Sequence, residues 1–484
     1  MEQIQNPMVQ KVCVLLPDYS TSDVDYQLYD PQRDLSSVLP GVQVDHVLLN
    51  KLTTYKQLRE LSKKGYDVFV NLCEGYLDWS VPSIDVIYSL ELLNLPYTGP
   101  NSTLYDPTKE LMKYVAFTCG IKTPAFVTVN HIKDIDSAID QLSFPMFVKP
   151  SKAGDSLGID ERSRVQDAEA LRTRVSEILD LYGPLLVEEY IDGREFTVLV
   201  MANPEEHGTP QVLQPIEYIF PAGTAYKTYA LKTSALHPEA NIPVADPALD
   251  KCLRDATALI FSGFNGVGYA RLDFRMDAEG TLYFLEINFT CSVFYTDGYE
   301  GSADYILRAD GIGQQGFLRA IINEGIARYR RTHKPYMLKG SARTGYGIYA
   351  TRTISNGEVI FHGEEAPQRI TTRRHVETHW SAEMQEVFRR YAYPISDEVF
   401  LLWDNDPNGW APQNHSCCPN TAYDGLDVSA LRDIHPGEQL TLDYATFLGA
   451  HMEPFECHCG QPNCRGRITG SPGNSITEIE KSKH

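Results

Sequence analysis

Two strand-like runs that carry charged and amide side chains are the most informative chemical feature of this sequence. The segment YARLDFRMDAEGTLYFLEIN, residues 269–288, predicts two strands joined by an Asp-Ala-Glu-Gly turn. If the hairpin turns there, Asp273 lies across from the region of Glu286, and alternation along each strand puts Arg271 beside Asp273. The same alternation puts Asn288 with Glu286. Converging oxygen ligands of this kind suit Mg²⁺ on the phosphates of a nucleotide, and the alternative is a structural ion-pair network.

Two further segments carry residues that could contact a nucleotide. The sequence VKPSKAGDSLGI, residues 148–159, places Lys149 at the end of a strand and follows it with a loop of small residues, whose backbone N–H groups can approach phosphate oxygens. In LLVEEYIDGREFTVLV, residues 185–200, Glu188 and Glu195 flank a turn and could accept hydrogen bonds from an amine and from ribose hydroxyls. Taken separately, a flexible surface loop and a solvated hairpin explain these segments equally well.

The clustered cysteines near the end of the chain predict a metal site. Five of the ten cysteines lie between Cys417 and Cys464, which indicates metal binding in a reducing compartment more than a disulfide framework. Cys457, Cys459 and Cys464 supply three thiolates, whereas a closed structural zinc site needs four tetrahedral ligands. A distant residue must therefore complete the site, unless the cysteines form a free-thiol cluster without metal.

The elements that must position these residues can be predicted from periodicity and caps. Residues 1–100 alternate strand-like runs with amphipathic segments, which is typical of a small α/β unit. A helix is expected to begin after Asp106, with Asp106 as cap and Pro107 in its first position, and to end at Gly120. From FPMFVKP to FLEINF, strand signals predict an antiparallel-containing α+β region. The segment TTRRHVETHWSAEMQEVFRRYAY predicts an amphipathic helix.

In order and spacing, the nucleotide and metal residues resemble the ATP-grasp superfamily, most closely its D-alanine:D-alanine ligase branch. The resemblance covers residues 10–325 and includes TGPNSTLYDPTKELMK, which is similar to that family's lead-in to the nucleotide site. It implies a mobile closing loop that contains Lys232, and it implies that Arg271 stabilises the acyl-phosphate and the tetrahedral intermediate. The other implied residues are Lys109 and Lys149 for the phosphates, Lys152 and Ser156 in a phosphate-covering loop at 152–158, Glu188, Ile191 and Glu195 for adenine and ribose, and Asp273, Glu286 and Asn288 for magnesium.

The implied reaction is phosphorylation of a carboxylate by ATP, followed by attack of an amine and formation of an amide. Two departures from the branch put D-alanine in doubt as the substrate. After Asn288 the chain reads FTCSVFYTDG, where D-alanine ligases place a Ser-Pro-Gly turn that cradles the second amino acid. Thr233 stands where those ligases usually have a tyrosine in the closing loop.

The second part of the chain resembles a SET domain with its trailing cysteine module, over residues 336–468. The motifs that carry the resemblance are RTGYGIYATRTISNGEVI, NHSCCPN, ALRDIHPGEQLTLDY and CHCGQPNCRG. The resemblance implies that S-adenosylmethionine is held by Gly345, Tyr346, Gly347, Asn414 and His415.

The same resemblance implies the methyl-transfer residue and the fourth zinc ligand. Tyr444 is expected beside the transferring methyl group, where it orients the amine and helps to keep it neutral; a buried core tyrosine is the alternative. The cysteine of the NHSC motif, Cys417, is expected to complete the zinc site, with Cys418 and His458 as fallbacks. The segment before that motif reads WAPQ, which differs from the Arg-Phe-hydrophobic run usual in the family.

We therefore expect a multidomain α+β and α/β protein, in which a three-subdomain ATP-grasp fold precedes a β-rich SET domain with a zinc-bound C-terminal segment. The charge of −21 makes nucleic acid an unlikely partner, and no apolar run approaches the ~20 residues that span a bilayer. A cytoplasmic location and a homodimer are further expectations. The expected boundaries are 1–100, 101–190 and 191–328 for the three ligase subdomains, 329–338 for a linker, 339–450 for the SET domain, 451–470 for the zinc module and 471–484 for a disordered tail.

The sequence supports two hypotheses of function. The first is a bifunctional enzyme that joins an amino acid to an amine or to a second amino acid and N-methylates the same small precursor or product. The second is a protein lysine methyltransferase whose ATP-grasp half is accessory or acts on proteins. The fusion favours the first, because linkage raises the local concentration of a shared intermediate.

Overall fold

A computed structural model of the chain divides into two compact units, Met1–Arg331 and Thr332–His484. The division falls at the end of a long helix, inside the predicted linker. The structure describes residues 9–20, 30–75, 80–152, 158–204, 206, 208–220, 240–332, 334–341, 345–363, 368–403, 413–448 and 454–470.

The first unit begins with a three-stranded parallel sheet in the order β2-β1-β3. The central strand is apolar and buried on both faces because helices and the rest of the unit cover it. Its elements are β1 (Lys11–Pro17), β2 (Gln43–Leu49), α1 (Thr54–Leu61), β3 (Val68–Asn71) and α2 (Ile84–Leu92).

After one further helix, the chain forms a four-stranded antiparallel sheet in the order β4-β7-β5-β6. Two helices pack on it around a core of branched aliphatic side chains. Its elements are α3 (Lys109–Thr118), β4 (Phe126–Val129), α4 (Ile135–Gln141), β5 (Met146–Pro150), β6 (Arg164–Val165), α5 (Ala168–Tyr182) and β7 (Leu185–Glu189).

The predicted start of α3 is wrong. The helix begins at Lys109, and Thr108 caps it by accepting a hydrogen bond from the backbone N–H of Leu111 at 3.3 Å. Asp106 and Pro107 lie before the cap and line a cavity. A hydroxyl two residues later in the chain thus takes the capping role, and the Asp106 carboxylate interacts electrostatically with Lys109 and Lys152 instead.

A larger antiparallel sheet, in the order β11-β10-β8-β12-β13 with β9 also paired to β8, completes the first unit. It confirms the predicted antiparallel α+β region. Its elements are β8 (Arg194–Met201), β9 (Gln211–Val212), β10 (Ile216–Tyr218), β11 (Asn241–Pro243), α6 (Pro247–Gly263), β12 (Tyr269–Met276), β13 (Leu282–Asn288), α7 (Ser302–Asp310) and α8 (Gly313–Thr332).

The second unit consists mainly of short strands. They form the pairs β14-β15, β20-β23 and β24-β25 and the three-stranded sheets β16-β22-β21 and β17-β19-β18. The elements are β14 (Tyr336–Ser341), β15 (Gly345–Ala350), β16 (Val359–Phe361), β17 (Gln368–Thr372), α9 (Arg373–His379), α10 (Ala382–Tyr391), β18 (Tyr393–Pro394), β19 (Val399–Trp403), β20 (Asn414–His415), β21 (Thr421–Asp424), β22 (Asp427–Ala430), β23 (Thr441–Leu442), β24 (Phe455–Glu456) and β25 (Arg467–Ile468).

The predicted amphipathic helix of the second unit is two helices, α9 and α10. The break lies at Trp380 and Ser381, because the extended Ser381 accepts a hydrogen bond from the backbone N–H of Met384 and starts a new helix. Among the described residues, none of the helices is long and apolar enough to cross a lipid bilayer.

Candidate active sites

The β12–β13 hairpin gathers four polar side chains at one sheet position. Asp273 pairs directly with Glu286, as the hairpin predicted, and Arg271 pairs with Asn288. The pairing shifts register after Asp273, which ends regular alternation on this side of the hairpin. The Arg271 guanidinium donates from Nε and Nη2 to the two carboxylate oxygens of Asp273, both at 3.2 Å. The carboxylates of Asp273 and Glu286 are paired hard oxygen ligands of the type that Mg²⁺ requires.

A lysine at the start of α3 reaches the same place. Nζ of Lys109 lies 3.7 Å from Oε2 of Glu286, and the lysine is buried. Burial lowers the pKa of Lys109, and the neighbouring Glu286 carboxylate opposes that shift. The helix start therefore presents an ammonium group beside the predicted magnesium ligands.

A second buried ammonium cluster surrounds Glu188. Nζ of Lys149, on β5, lies 2.5 Å from Oε1 of Glu188, and Nζ of Lys113 lies 2.8 Å from Oε2. Burial alone raises the pKa of Glu188, but the two ammonium groups outweigh it and bring the pKa to about 2. Both carboxylate oxygens thus contact lysines, whereas the sequence predicted contacts with the nucleotide's base and sugar.

Sequence reasoning missed Lys113 and Arg275. Lys113 stands four residues after Lys109, so the two share a helix face, which was an available signal. The Arg275 guanidinium donates to Oε2 of Glu195 at 3.1 and 3.2 Å and to the carbonyl oxygen of Ile191 at 2.7 Å. Arg275 thereby joins two residues that were predicted separately to hold adenine and ribose.

Two cavities meet at Glu286. The larger is a cleft between the four-stranded and the larger sheet, and its lining includes Lys149, Glu188, Ile191 and Glu195. The smaller is lined by residues that include Lys109 and Asn288 as well as Glu286. A cleft that combines a buried ammonium group with paired carboxylates fits a magnesium-bound nucleotide.

Several predicted nucleotide-site residues lie outside the described part of the chain. These are Lys232 and Thr233 of the predicted closing loop and Ser156 of the predicted phosphate-covering loop. Lys152, at the near end of that loop, is described and exposed.

In the second unit, a short parallel pair brings the predicted methyl-transfer residues together. β20 pairs with β23, so that His415 lies beside Leu442, two residues before Tyr444. The backbone N–H of Tyr444 donates to Nδ1 of His415 at 3.2 Å, and its hydroxyl donates to the carbonyl oxygen of Gln413 at 2.6 Å. Burial lowers the pKa of His415, which agrees with an unprotonated Nδ1, and burial raises the pKa of Tyr444 to about 12.

The Gly-x-Gly segment is the start of strand β15, and the backbone at Gly347 forms a cradle with the side chains of Asn414 and Gln439. The Asn414 side-chain amide donates to the carbonyl oxygen of Tyr346 at 3.0 Å. A Cβ atom on Gly347 would lie 2.2 Å from Nε2 of Gln439 and 3.0 Å from Nδ2 of Asn414, so a side chain there would displace the Gln439 amide. Nε2 of Gln439 is buried without a hydrogen-bond partner among the described residues, a donor that a ligand could use. Sequence reasoning missed Gln439; Gly345 and Tyr346 are exposed.

The zinc prediction is supported by the position of four cysteines. The Sγ atoms of Cys417, Cys457, Cys459 and Cys464 all lie within 4.8 Å of one another. The fallback candidates are unfavourable, since Cys418 is exposed and the His458 side chain is 82% exposed. Four thiolates at this spacing fit a closed tetrahedral zinc site.

The cysteine cluster is tied to the strand end that carries Tyr444. The backbone N–H of Arg465 donates to Sγ of Cys417 at 3.4 Å, and its guanidinium pairs with the Asp443 carboxylate at 2.5 Å. Asp443 directly precedes Tyr444. Zinc binding and the conformation at Tyr444 should therefore depend on one another.

Comparison with known proteins finds similarity for both parts of the chain. A family model described as the D-ala D-ala ligase C-terminus matches residues 115–295, and a SET domain model matches residues 345–445. A D-alanine--D-alanine ligase of Neisseria gonorrhoeae is 28% identical over 284 residues, which cover 57% of this chain and 86% of the relative. One from Bordetella petrii is 30% identical over 273 residues, which cover 53% of this chain and 78% of the relative.

Among solved structures, a D-alanine--D-alanine ligase from Bacillus anthracis complexed with ATP aligns over 67% of this chain and 100% of its own. That alignment has 19% identity and a TM-score of 0.48.

Proposed function

Because the N-terminal part of this chain belongs to the D-alanine--D-alanine ligase family and a SET methyltransferase domain follows it, we propose one bifunctional enzyme for a small molecule. Its ligase half joins a carboxylate to an amine at the expense of ATP. Its SET half transfers a methyl group from S-adenosylmethionine to nitrogen of the same precursor or product.

One observation carries the ligase half of the proposal: Asp273 and Glu286 are directly paired across two strands, with buried Lys109 beside Glu286 and buried Lys149 lining the same cleft. In the proposed reaction, the carboxylate takes the γ-phosphoryl group of ATP, and ADP leaves. The amine nitrogen then attacks the carbonyl carbon, the C–O bond to phosphate breaks, and a proton is lost as the amide forms. The negative charge that develops on oxygen in these steps can be stabilised by fixed cations, and the positive charge on the attacking nitrogen disappears when its proton is lost.

The residues of the ligase half take distinct proposed roles. Asp273, Glu286 and Asn288 hold magnesium, which when bound neutralises charge on the transferring phosphoryl group. Lys109 and Lys149 provide fixed positive charge next to the phosphates. Arg271 lies on the same sheet face, and its guanidinium can turn from Asp273 to a developing oxyanion.

The methyltransferase half rests on the cradle at Gly347 and on Tyr444. S-adenosylmethionine, when bound, supplies an electrophilic methyl group. The chain contributes a backbone segment at Gly347 that a ligand can approach closely, and the amide donors of Asn414. It also contributes the Tyr444 phenol, which stays neutral because its pKa is raised to about 12. A neutral hydroxyl can orient an uncharged amine through a hydrogen bond and forms no ion pair with it.

A small-molecule substrate is favoured by the fusion itself and by the charge of −21. Linking two active units raises the effective concentration of an intermediate that both use. An acidic protein also repels phosphate backbones, which disfavours work on nucleic acid.

The test is a mass-spectrometric screen of amino acids and amines with ATP, Mg²⁺ and S-adenosylmethionine, read for loss of water and for gain of methyl groups. We expect ADP only when a true pair of carboxylate and amine is present. Lys149→Ala should abolish ADP release and leave S-adenosylmethionine binding intact, while exposed Lys251→Ala changes neither. ADP release or methylation that depends on peptides or histones would favour the protein lysine methyltransferase hypothesis.

A further inference from the structure

The smaller cavity next to Glu286 has an acidic wall that the reaction described above does not use. Besides Lys109, Glu286 and Asn288, its lining contains the carboxylates of Glu74 and Asp106. These two come from the loops after β3 and before α3. They line a cavity that borders the proposed magnesium ligands Glu286 and Asn288, so a second substrate bound there would lie next to an activated carboxylate.

Contacts on three sides hold Glu74 in place. Oγ of Ser292 donates to its Oε2 at 2.6 Å, and Nη1 of Arg33 lies 3.4 Å from its Oε1. The next residue is fixed as well, since the Tyr105 hydroxyl donates to the carbonyl oxygen of Gly75 at 2.7 Å. The carboxylate thus has a defined position in the cavity wall.

Arg33 does not neutralise this wall. It is buried and also pairs with Asp30, at 3.2 Å, so one positive charge is shared between two carboxylates. The same two guanidinium nitrogens also donate to the carbonyl oxygens of Val293 and Leu72. Two carboxylates thus share one guanidinium group.

The cations near the cavity are shared among several carboxylates, since Lys109 interacts with Asp106 as well as with Glu286, and Lys152 also interacts with Asp106. Among the described residues that line it, Lys109 is the only cation, and it lies beside Glu286. The Arg271 guanidinium is paired with Asp273 through two hydrogen bonds. A substrate carboxylate in this cavity would meet Glu74 and Asp106, whereas a substrate ammonium group would gain from both.

We infer that the amine substrate of the ligase is a diamine, whose second, protonated amino group binds against Glu74 and Asp106. This inference rests on the proposed ligase function and narrows its substrate class. It excludes a second α-amino acid whose carboxylate faces that wall. After amide formation, the second amino group stays free and is a nitrogen of the kind that the SET half would methylate.

The test compares three amines of four carbon atoms each by calorimetry, with the full chain, Mg²⁺ and the non-hydrolysable ATP analogue AMP-PNP. The probes are 1,4-diaminobutane, n-butylamine and 4-aminobutanoate, which differ only in the far end. We expect 1,4-diaminobutane to bind about tenfold more tightly than n-butylamine, and 4-aminobutanoate to bind more weakly than either.

Variants assign the effect to the acidic wall. Glu74→Gln should remove most of the preference for the diamine, and Asp106→Asn, at an exposed position that does not depend on Arg33, should remove part of it. Glu279→Gln, an exposed carboxylate in the β12–β13 turn, is the matched control and should leave the preference unchanged.

Two results would overturn the inference: tighter binding of 4-aminobutanoate than of the diamine, or an unchanged preference in both wall variants. Failure of the wild-type chain to bind AMP-PNP with Mg²⁺ would instead reject the proposed ligase function, and the diamine inference with it. Binding of AMP-PNP is measured first, so the two failures are distinguished.

Discussion

Asp273 on β12 lies directly opposite Glu286 on β13, and Glu286 in turn lies 3.7 Å from the ammonium group of Lys109. Two strands and the first turn of a helix thus converge on one pair of carboxylates. The nucleotide cleft and the acidic cavity both border Glu286, so this pair marks the place where an activated carboxylate and an amine would meet.

Removing one of the paired carboxylates should abolish ligation. We expect Asp273→Asn to lower the rate of ADP release by at least about 100-fold, because a neutral amide is a poor magnesium ligand and leaves Arg271 without its partner. Asp255→Asn, an exposed carboxylate on α6, is the control. ADP release near the wild-type rate in Asp273→Asn would exclude Asp273 as a magnesium ligand.

Lys113 should contribute strongly to stability although it was not predicted from the sequence. Lys113→Met removes one of the two ammonium groups that neutralise the buried Glu188, at a cost of about 3 kcal/mol in the free energy of unfolding. Urea unfolding of the wild type and of the variant measures this difference in the free energy of unfolding. Lys251→Met, which breaks only an exposed pair with Asp255, should cost under about 1 kcal/mol. Equal costs for the two variants would contradict the buried-pair assignment.

Glu188 should make the first unit acid-sensitive in a defined window. Its pKa is about 2 in the folded state against a usual 4.5, so its stabilisation is fully present above pH 4.5 and is lost as the pH falls through about 2. The difference in the free energy of unfolding between wild type and Glu188→Gln should therefore be constant from pH 5 to 7. At lower pH it should decrease by on the order of 3 kcal/mol. Denaturant unfolding at each pH checks this, and a difference independent of pH would refute it.

Methyl transfer should depend on the Tyr444 hydroxyl. Tyr444→Phe removes the donor to the Gln413 carbonyl oxygen and the only polar atom of that side chain, so we expect methylation to fall by at least about 100-fold. S-adenosylmethionine binding and ADP release should be unchanged in this variant. The control is Tyr299→Phe, at an exposed position, in which both should also be unchanged. Methylation that survives in Tyr444→Phe would show that the methyl-transfer centre lies elsewhere.

The adjacent cysteines offer an internal test of the zinc site. Cys417→Ser should reduce bound zinc and lower the melting temperature of the second unit, because three thiolates cannot close a tetrahedral site. Cys418→Ser, one residue away and exposed, should keep one zinc per chain. Elemental analysis together with calorimetry reads both effects, and zinc loss in the Cys418 variant alone would reverse the assignment.

Local patterns alone determined much of this protein. Strand alternation was enough to predict that Asp273 faces Glu286, because a hairpin with a short turn fixes its own register. Three cysteines within eight residues were enough to predict a metal site that lacked one ligand. The cap of α3 was predicted wrongly because Asp106 and Thr108, two residues apart, are both residue types that favour the N-cap position.

Tertiary structure decided the relationships between residues that are distant in the chain. Ser292 and Glu74 are 218 residues apart, and their hydrogen bond forms only because the parallel sheet and the loop after β13 pack together. Likewise, the lysine partners of Glu188 come from a helix and a neighbouring strand, and no periodicity within one segment reports such a contact. Sequence spacing gives the geometry of one element, whereas the sign of the charge in a cavity depends on every element that lines it.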